Sequence, residues 1–334
     1  ASDTRIQVLG VDHSDTDVYD FDGRPTLLTL GFLLETMAVA ASRFGARIVW
    51  QYVQQDEHRH LITVDVVEDK VEPDPLLGFV ETRSVVRGRY RSDALDATRK
   101  QELERALGDD FAIHWFETPE AKKTVTLINA MATHIRLSIP EAFQTHQRIL
   151  DWKRDRSPDG VPARAIGLDR MTLTSMQWVM KKWSRAHFMN RFLGGTVVPR
   201  LQMDHVPGKY CAAHFMVFRR NARVQAGPLE LIAAGRKLQR FWLTATMHGL
   251  VMQPSLAPIC FAYYARQGRR FTQDPLMIEN ASTLDEALRE ASGAVSSDEL
   301  MFMGRIGTPV SGGQGARSVR KPLAELMHEN TVTR

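Results

Sequence analysis

Arginines are concentrated in one short stretch of the chain, residues 83–91, which reads Arg-Ser-Val-Val-Arg-Gly-Arg-Tyr-Arg. Each guanidinium offers a planar fork of donors that fits phosphate oxygens, so the four groups could converge on a dianion. Without an anion or carboxylates, their mutual repulsion costs stability. The alternative interpretation is a solvated basic turn that binds nothing.

A second basic stretch lies near the C-terminus and is rich in glycine. It comprises residues 304–307 and 312–321. Glycines let the backbone approach a ligand closely, and Arg317 and Arg320 add positive charge. The order Gly-x4-Gly-Lys-Ser/Thr is missing, so this stretch is not a P-loop. A flexible surface loop with a basic tail is the alternative.

A polar turn, Gln253-Pro254-Ser255, follows an apolar helical pattern. Its backbone N–H and C=O groups could face a planar heterocycle, although a turn need not bind anything. No residue of the chain stands out as a catalytic acid or base, so the catalytic residues are left unassigned.

Two further sets of residues have simpler interpretations. The possible metal ligands are Asp204, His205, Cys211 and His214. Residues three apart in a strand point to opposite sides, so no metal site is expected there, and His58 and His60 lack evident partners. A stripe of aromatic residues at helical spacing is interpreted as core; it contains Trp178, Trp183, Phe188 and Phe192.

The composition is that of an ordinary globular protein. Of 334 residues, 43% are hydrophobic and 25% are charged, and no uninterrupted apolar run is long enough to span a membrane. Two cysteines, Cys211 and Cys260, cannot build a disulfide framework, which favours a reducing cytoplasm. The 43 basic residues are scattered among 39 acidic ones, so the net charge of +4 predicts no nucleic-acid surface.

An internal repeat at an offset of 204 residues organises the chain. Residues 30–45 align without gaps with residues 234–249, and Gly31 matches Gly235. Apolar residues recur at i, i+3, i+4 and i+7 in both copies, which predicts two helices that each end at a glycine. Strand-like segments flank them, at 6–9 and 48–53 and at 211–218 and 258–264. Buried helices can look alike by chance, but the matching flanks favour a duplication.

The two copies are unequal in length. The predicted fold class is α+β, with a mixed or antiparallel sheet flanked by helices, arranged as an internal pseudo-dimer with a shortened first half. Residues 1–70 would form a partial first half and residues 71–334 a complete second half. At the boundary, Asp74 would cap a short helix that begins at Pro75. A complete pseudo-dimer predicts a monomer, whereas an incomplete first half could require a homodimer.

The ordered series of segments resembles the FMN-dependent nitroreductase superfamily. The resemblance is closest to its duplicated single-chain branch, the Acg-like proteins and the nitroreductase-type domains attached to ThiF-like adenylyltransferases. The residues that carry it are 74–77, 81–90, 159–162, 234–245, 249–254, 305–307 and 317–320. It implies a nitroreductase-like fold that holds FMN noncovalently between two subunits or between two halves of one chain.

The resemblance also implies which residues bind the cofactor. They are Arg83, Val85 through its backbone, Arg87, Arg317 and Arg320 at the phosphate, and Gln253, Pro254 and Ser255 at the flavin ring. NAD(P)H would reduce the flavin, which would then reduce a small organic acceptor such as a nitro compound or a quinone. The protein positions and tunes the flavin, whereas hydride transfer belongs to the cofactor.

One departure from the family pattern leaves three functions open. Family members usually carry a Ser-x-x-Asn-x-Gln-Pro-Trp-like stretch before the first repeat helix, which lines the flavin, and this sequence lacks it. We therefore expect either a missing N-terminal portion or a lost segment. The leading function is an FMN-dependent oxidoreductase. The alternatives are a non-catalytic FMN-binding or FMN-sequestering protein, and a flavin oxidase domain partnered with a ThiF-like adenylyltransferase.

Overall fold

The fold combines helices with short antiparallel sheets. The computed structural model describes residues 5–222, 224–293, 299–310 and 315–327. The strands of this part are β1 Arg5–Val11, β2 Ala46–Gln54, β3 Arg59–Glu68, β4 Phe111–Phe116, β5 Leu150–Asp151, β6 Arg156–Ser157, β7 Val161–Pro162, β8 Ala213–Arg219, β9 Val251–Pro254, β10 Glu299–Gly307 and β11 Arg317–Ser318.

The longer helices carry most of the core. The helices of the described residues are α1 Arg24–Ser42, α2 Ala97–Leu107, α3 Pro119–Ser138, α4 Pro140–Ile149, α5 Arg170–Val179, α6 Trp183–Phe192, α7 Val197–Arg200, α8 Val206–Lys209, α9 Pro228–Met247, α10 Leu256–Arg266, α11 Pro275–Ser292 and α12 Leu323–Leu326. A π-helical segment, Leu201–His205, joins α7 to α8.

Two antiparallel sheets form the framework. The first sheet has the order β1-β3-β2 and comes entirely from the first 70 residues, and the second has the order β4-β8-β10-β9. Two short parallel pairs, β5–β7 and β6–β11, lie beside them. The predicted α+β class, with antiparallel sheets flanked by helices, is confirmed. The division into halves at residues 70 and 71 stays a proposal.

The second sheet is buried on both faces, because every residue of β8 before Arg219 is buried. Phe215 and Val217 pack into the core around α1 and α9. Met216 and Phe218 pack into a second core formed with α3, α10 and α11. Successive side chains of a strand point to opposite faces, so this one strand joins the two cores.

The two repeat helices cross at their matching glycines. A methyl group added at Gly31 would lie 2.1 Å from the carbonyl oxygen of Ile232, and one added at Gly235 would lie 2.1 Å from that of Leu28. Only glycine permits so close an approach of two backbones. Leu28 and Ile232 lie just before the aligned segments and are separated by the same offset of 204 residues. The two contacts are therefore equivalent when one copy is exchanged for the other.

Polar contacts along the same crossing are also equivalent when one copy of the repeat is exchanged for the other. Glu35 accepts from Arg240 at 2.7 Å, and the matching pair, Thr36 and Gln239, is joined by a 2.9 Å hydrogen bond. A pair of helices related by a pseudo-twofold axis gives such reciprocal contacts. They support the proposed duplication.

One segment beside the second repeat helix differs from the sequence prediction. Residues 258–264, expected to be a strand, belong to helix α10, and the strand that follows α9 is β9. A continuous apolar run is compatible with a buried strand or a buried helix, so periodicity did not distinguish them.

The predicted helix after Pro75 is also shorter than expected. Only Leu77–Phe79 forms a 3-10 turn. The predicted cap at Asp74 is wrong, because the residue that precedes this turn is Leu76 and no side chain caps it. Asp74 Oδ1 instead accepts from the backbone N–H of Leu76 at 2.9 Å, one residue before the turn.

The helix Phe21–Ser42 is long and apolar enough to cross a membrane by length and composition. Its mean hydropathy reaches 1.4, and 44% of that window is buried. The sequence of this helix contains no uninterrupted apolar run of that length, because isolated polar residues interrupt it. In the structure its buried leucines pack in the core against α9, which accounts for its composition.

Candidate functional site

The two arginine-bearing stretches meet at one cavity. This cavity, of about 290 Å³, is called the arginine cavity below. Its lining residues are Glu81, Arg83, Ser84, Val85, Arg87, Ala165, Arg317, Ser318, Val319 and Arg320. Five of the eight residues predicted to bind the cofactor therefore lie together, although they come from segments more than 200 residues apart.

Main-chain contacts to the second sheet hold the first stretch in place. Val85 forms a parallel bridge with Met252 of β9, and the N–H of Val86 donates to the carbonyl of Met252 at 3.3 Å. Further along, the N–H of Arg91 donates to the carbonyl of Thr308 at 2.7 Å. The stretch thus lies along β9 and the end of β10 rather than in solvent, which argues against a free basic turn.

The second stretch is attached to the loop of residues 150–165. The N–H of Arg317 donates to the carbonyl of Asp155 at 2.8 Å, and that of Val319 to Ser157 at 2.9 Å. The Ser318 hydroxyl donates to the carbonyl of Gly160 at 2.7 Å. Backbone groups do this docking, so the side chain of Arg317 is free to reach the cavity. The glycine-rich residues 312–314 lie outside the described residues.

Electrostatics in the arginine cavity favour an anion. Burial and the neighbouring charge of Arg320 lower the pKa of Arg83 to about 10. The Nε of Arg83 is buried and has no hydrogen-bond partner among the described residues. Glu81 is the single carboxylate in the lining and is exposed. A buried donor without a partner costs about 1–3 kcal/mol, so a ligand that accepted a hydrogen bond from Arg83 would stabilise the cavity.

Not all four arginines of the first stretch enter this cavity. The guanidinium of Arg83 lies 4.3 Å from the ring centre of Trp242, a cation–π contact that fixes its position. Arg87 is half-buried, and its pKa is lowered by burial and by the charges of Arg136 and Arg305. Arg89 turns away and lies over Tyr210 at 5.7 Å.

The predicted ring-facing turn lies apart from the arginine cavity. Gln253 and Ser255 line a separate space of about 20 Å³, enough for roughly one water molecule. Pro254 pairs with Gly304 in the sheet. The turn is nonetheless adjacent to the arginines in the fold, because Gln253 follows the residue that bridges to Val85.

Solved structures with a similar course of the chain are nitroreductase-like proteins. A nitroreductase-like family protein from Bacillus cereus is 12% identical, with 77% of this chain and 97% of that chain covered and a TM-score of 0.36. The FMN-dependent nitroreductase NfnB from Mycobacterium smegmatis, solved with NADPH, is 14% identical, with 75% and 96% covered and a TM-score of 0.40.

An iodotyrosine deiodinase bound to FMN and 3-iodo-L-tyrosine is 11% identical, with 78% of this chain and 97% of that chain covered and a TM-score of 0.36. No protein-family model matches the sequence, and no curated protein matches it. At this distance the likenesses assign no cofactor and no residue role to this chain.

Arg305 connects the two predicted parts of the site, and sequence reasoning gave it no role. Its guanidinium donates to the carbonyls of Arg87 at 2.7 Å and Gly88 at 2.9 Å, and twice to the Oε1 of Gln253, at 3.0 Å and 2.6 Å. It also lies 4.3 Å from the ring centre of Tyr90. The available signal was a charged residue in the apolar run that follows Glu299 in β10, where a buried charge must have partners.

Arg305→Met should lower the free energy of unfolding by about 2 kcal/mol, because buried carbonyls lose their donor. Urea unfolding followed by circular dichroism measures this. Arg105→Met, an exposed arginine on α2, serves as the control and should leave stability within about 0.5 kcal/mol. A loss below that value for Arg305→Met would show that Arg305 does not hold the turn.

Two of the residues weighed as metal ligands, Cys211 and His214, contact a backbone carbonyl. Cys211 and His214 both face the carbonyl of Gly208, at 3.2 Å and 2.9 Å, so the expectation that they point apart is wrong. Cys211 precedes β8 rather than lying in it, which explains the difference. Within the described ranges, no group of three or more His, Cys, Asp or Glu residues could hold a metal ion.

His58 and His60 also have a partner, which the sequence did not reveal. The two oxygens of Asp12 contact His58 Nδ1 at 2.9 Å and His60 Nε2 at 3.1 Å. Asp12 directly follows β1, and His58 and His60 lie on either side of Arg59, the first residue of β3. The antiparallel pairing of these strands, with Val11 opposite Arg59, brings the three residues together. This cluster lies in the first sheet, among residues that do not line the arginine cavity.

Proposed function

We propose that the protein is an FMN-dependent oxidoreductase. The observation that carries this proposal is the convergence of Arg83 and Arg87 with Arg317 and Arg320 on one cavity. Four guanidinium groups against one carboxylate match a ligand with two negative charges on a compact group, as in a phosphate monoester.

The residues of the arginine cavity fit the phosphate end of FMN. Arg83 offers a buried Nε without a partner, and the Ser84 hydroxyl and the backbone at Val85 lie in the same wall. A volume of about 290 Å³ is near the lower end for small-molecule sites, so we assign to this cavity the phosphate-bearing part of the ligand.

The chain's own residues would also orient the ring end. Arg305 donates to the Oε1 of Gln253. Because an arginine can only donate, this contact fixes which end of the carboxamide is oxygen and leaves the amide N–H groups as the available donors. We propose that Gln253, Pro254 and Ser255 present such donors to the flavin.

When bound, FMN supplies the hydride chemistry, with NAD(P)H as donor and a small organic molecule as acceptor. The protein's contribution is to hold the phosphate with its arginines and to fix the turn at Gln253 through Arg305. Apart from the carboxylate of Glu81 and the hydroxyls of Ser84 and Ser318, the side chains that line the arginine cavity are arginines and aliphatic groups, so this cavity serves binding rather than acid–base chemistry.

The proposal is tested on the purified full chain, first stripped of any bound flavin. FMN titration should show saturable binding by quenching of flavin fluorescence, and anaerobic mixing with NADH or NADPH should bleach the flavin absorbance. Failure to bind FMN would contradict the proposal. FMN that binds but is not reduced by either nicotinamide would instead support the non-catalytic FMN-binding protein.

A further inference from the structure

A second cavity, of about 400 Å³, lies among helices α3 to α7 and is separate from the arginine cavity. It is called the methionine cavity below, because five methionines line it: Met171, Met176, Met180, Met189 and Met203. Phe143 and Val179 add further apolar surface. The volume lies within the range of small-molecule sites, and a methionine wall adapts to ligands of irregular shape.

The lining of the methionine cavity contains a single charged residue, Arg136 at the end of α3, and no carboxylate. Its Nε donates to the Thr133 hydroxyl at 3.3 Å, and its Nη2 approaches the sulfur of Met203 at 3.9 Å. In the part of the chain that the structure describes, no carboxylate oxygen lies within 4 Å of it. A guanidinium facing an apolar cavity without an anion is costly.

The polar neighbours of Arg136 do not neutralise its charge at ion-pair distance. That charge acts on the carboxyl of Asp204, but burial raises the pKa of Asp204, this residue does not line the cavity, and the two groups form no ion pair among the described residues. His146 lines the same wall, and burial together with the charge of Arg136 lowers its pKa to about 3, so it is neutral at pH 7. Its Nε2 is paired with the Tyr19 hydroxyl at 3.0 Å. Burial keeps the Tyr19 phenol protonated, because it raises the pKa of that group well above its ordinary value.

We propose that the methionine cavity binds a monoanionic amphiphile, an alkyl or aryl carboxylate. Its carboxylate would pair with Arg136, and its apolar body would lie among the methionines. One cation in a mainly apolar wall that holds no other charged residue selects one negative charge, which distinguishes this ligand from a dianionic phosphate. The two cavities share no lining residue, so ligand binding at each can be measured separately. The charge of Arg136 does act on Arg87, which is why the titration below is run with and without FMN.

The experiment is a calorimetric titration of the full chain with dodecanoate, below its micelle concentration, and with dodecanol, which has the same tail and no charge. The titration is run without flavin and again with FMN. Dodecanoate should bind about tenfold more tightly than dodecanol, because a hydrogen bond to a charged group is worth about 1.5–3 kcal/mol. Arg136→Gln should weaken dodecanoate binding by about tenfold and leave dodecanol binding unchanged.

Two further variants keep the result interpretable. Arg191→Gln removes an exposed arginine from α6 that does not line the cavity, and it should bind dodecanoate like the unmodified protein. Met176→Trp should fill the cavity and weaken both ligands, with near-ultraviolet circular dichroism confirming that the protein is folded. The absence of saturable binding, or equal dodecanoate binding by Arg136→Gln and Arg191→Gln, would overturn the proposal. The protein could bind dodecanoate without binding FMN, or FMN without dodecanoate. The experiment therefore tests the methionine cavity independently of the proposed FMN-dependent function.

Discussion

Replacing Arg83 and Arg317 together with alanine should raise the Kd for FMN about a thousandfold, because each hydrogen bond to a charged group contributes about 1.5–3 kcal/mol. Both residues line the arginine cavity, one from each arginine-bearing stretch. Each single replacement should raise the Kd at least about tenfold. Fluorescence titration of the flavin-free protein measures all three values.

Riboflavin provides the ligand control, because it has the same ring system and lacks the phosphate. Its Kd should change less than about threefold in each variant, since no phosphate contact is lost. Arg99→Ala, which removes an exposed arginine from α2 that pairs with Asp96, is the matched protein control. An equal loss of FMN and riboflavin affinity would place the arginines elsewhere than at the phosphate.

Residue type indicated both arginine-bearing stretches, since guanidinium clusters are costly without an anion, and their role in binding a cofactor stays a proposal. The sequence could not show that Arg317 and Arg320 meet Arg83, because that depends on the backbone pairing of β11 with β6. Nor could it show that Arg305 takes the carboxamide oxygen of Gln253, since the register of β10 against β9 brings these residues opposite each other.

The apolar patterns of the sequence gave some wrong predictions of which residues are buried. Of the aromatic stripe, Trp183 packs against Phe143, with ring centres 5.4 Å apart, as expected for core. The core interpretation is wrong for Trp178, Phe188 and Phe192, which are 50%, 53% and 66% exposed. Helical spacing gives the face on which residues lie, but it does not say whether a neighbouring element covers that face. The repeat was more informative, because its matching glycines are the positions where the two helices touch.

Gly31→Val should lower the free energy of unfolding by about 4 kcal/mol, above the usual range for overpacking, because its Cβ would meet backbone rather than a movable side chain. A Cβ at Gly31 would lie 2.1 Å from the Ile232 oxygen and 2.8 Å from the Cα of Gly235. The two helices must separate to admit it. Gly235→Val should lower the free energy of unfolding by a similar amount, since its Cβ would lie 2.1 Å from the Leu28 oxygen.

The double replacement decides whether one shared crossing causes both losses. Separating the helices once relieves both clashes, so the Gly31→Val, Gly235→Val protein should lose far less than the sum of the two single losses. Gly78→Val is the control, because no atom lies within 4 Å of a Cβ added at Gly78 and this residue is exposed. Thermal and urea unfolding of the four proteins give the coupling. Strict additivity would mean that each valine disturbs its own surroundings, and the reciprocal contact of the two repeat helices would then not be what stabilises the crossing.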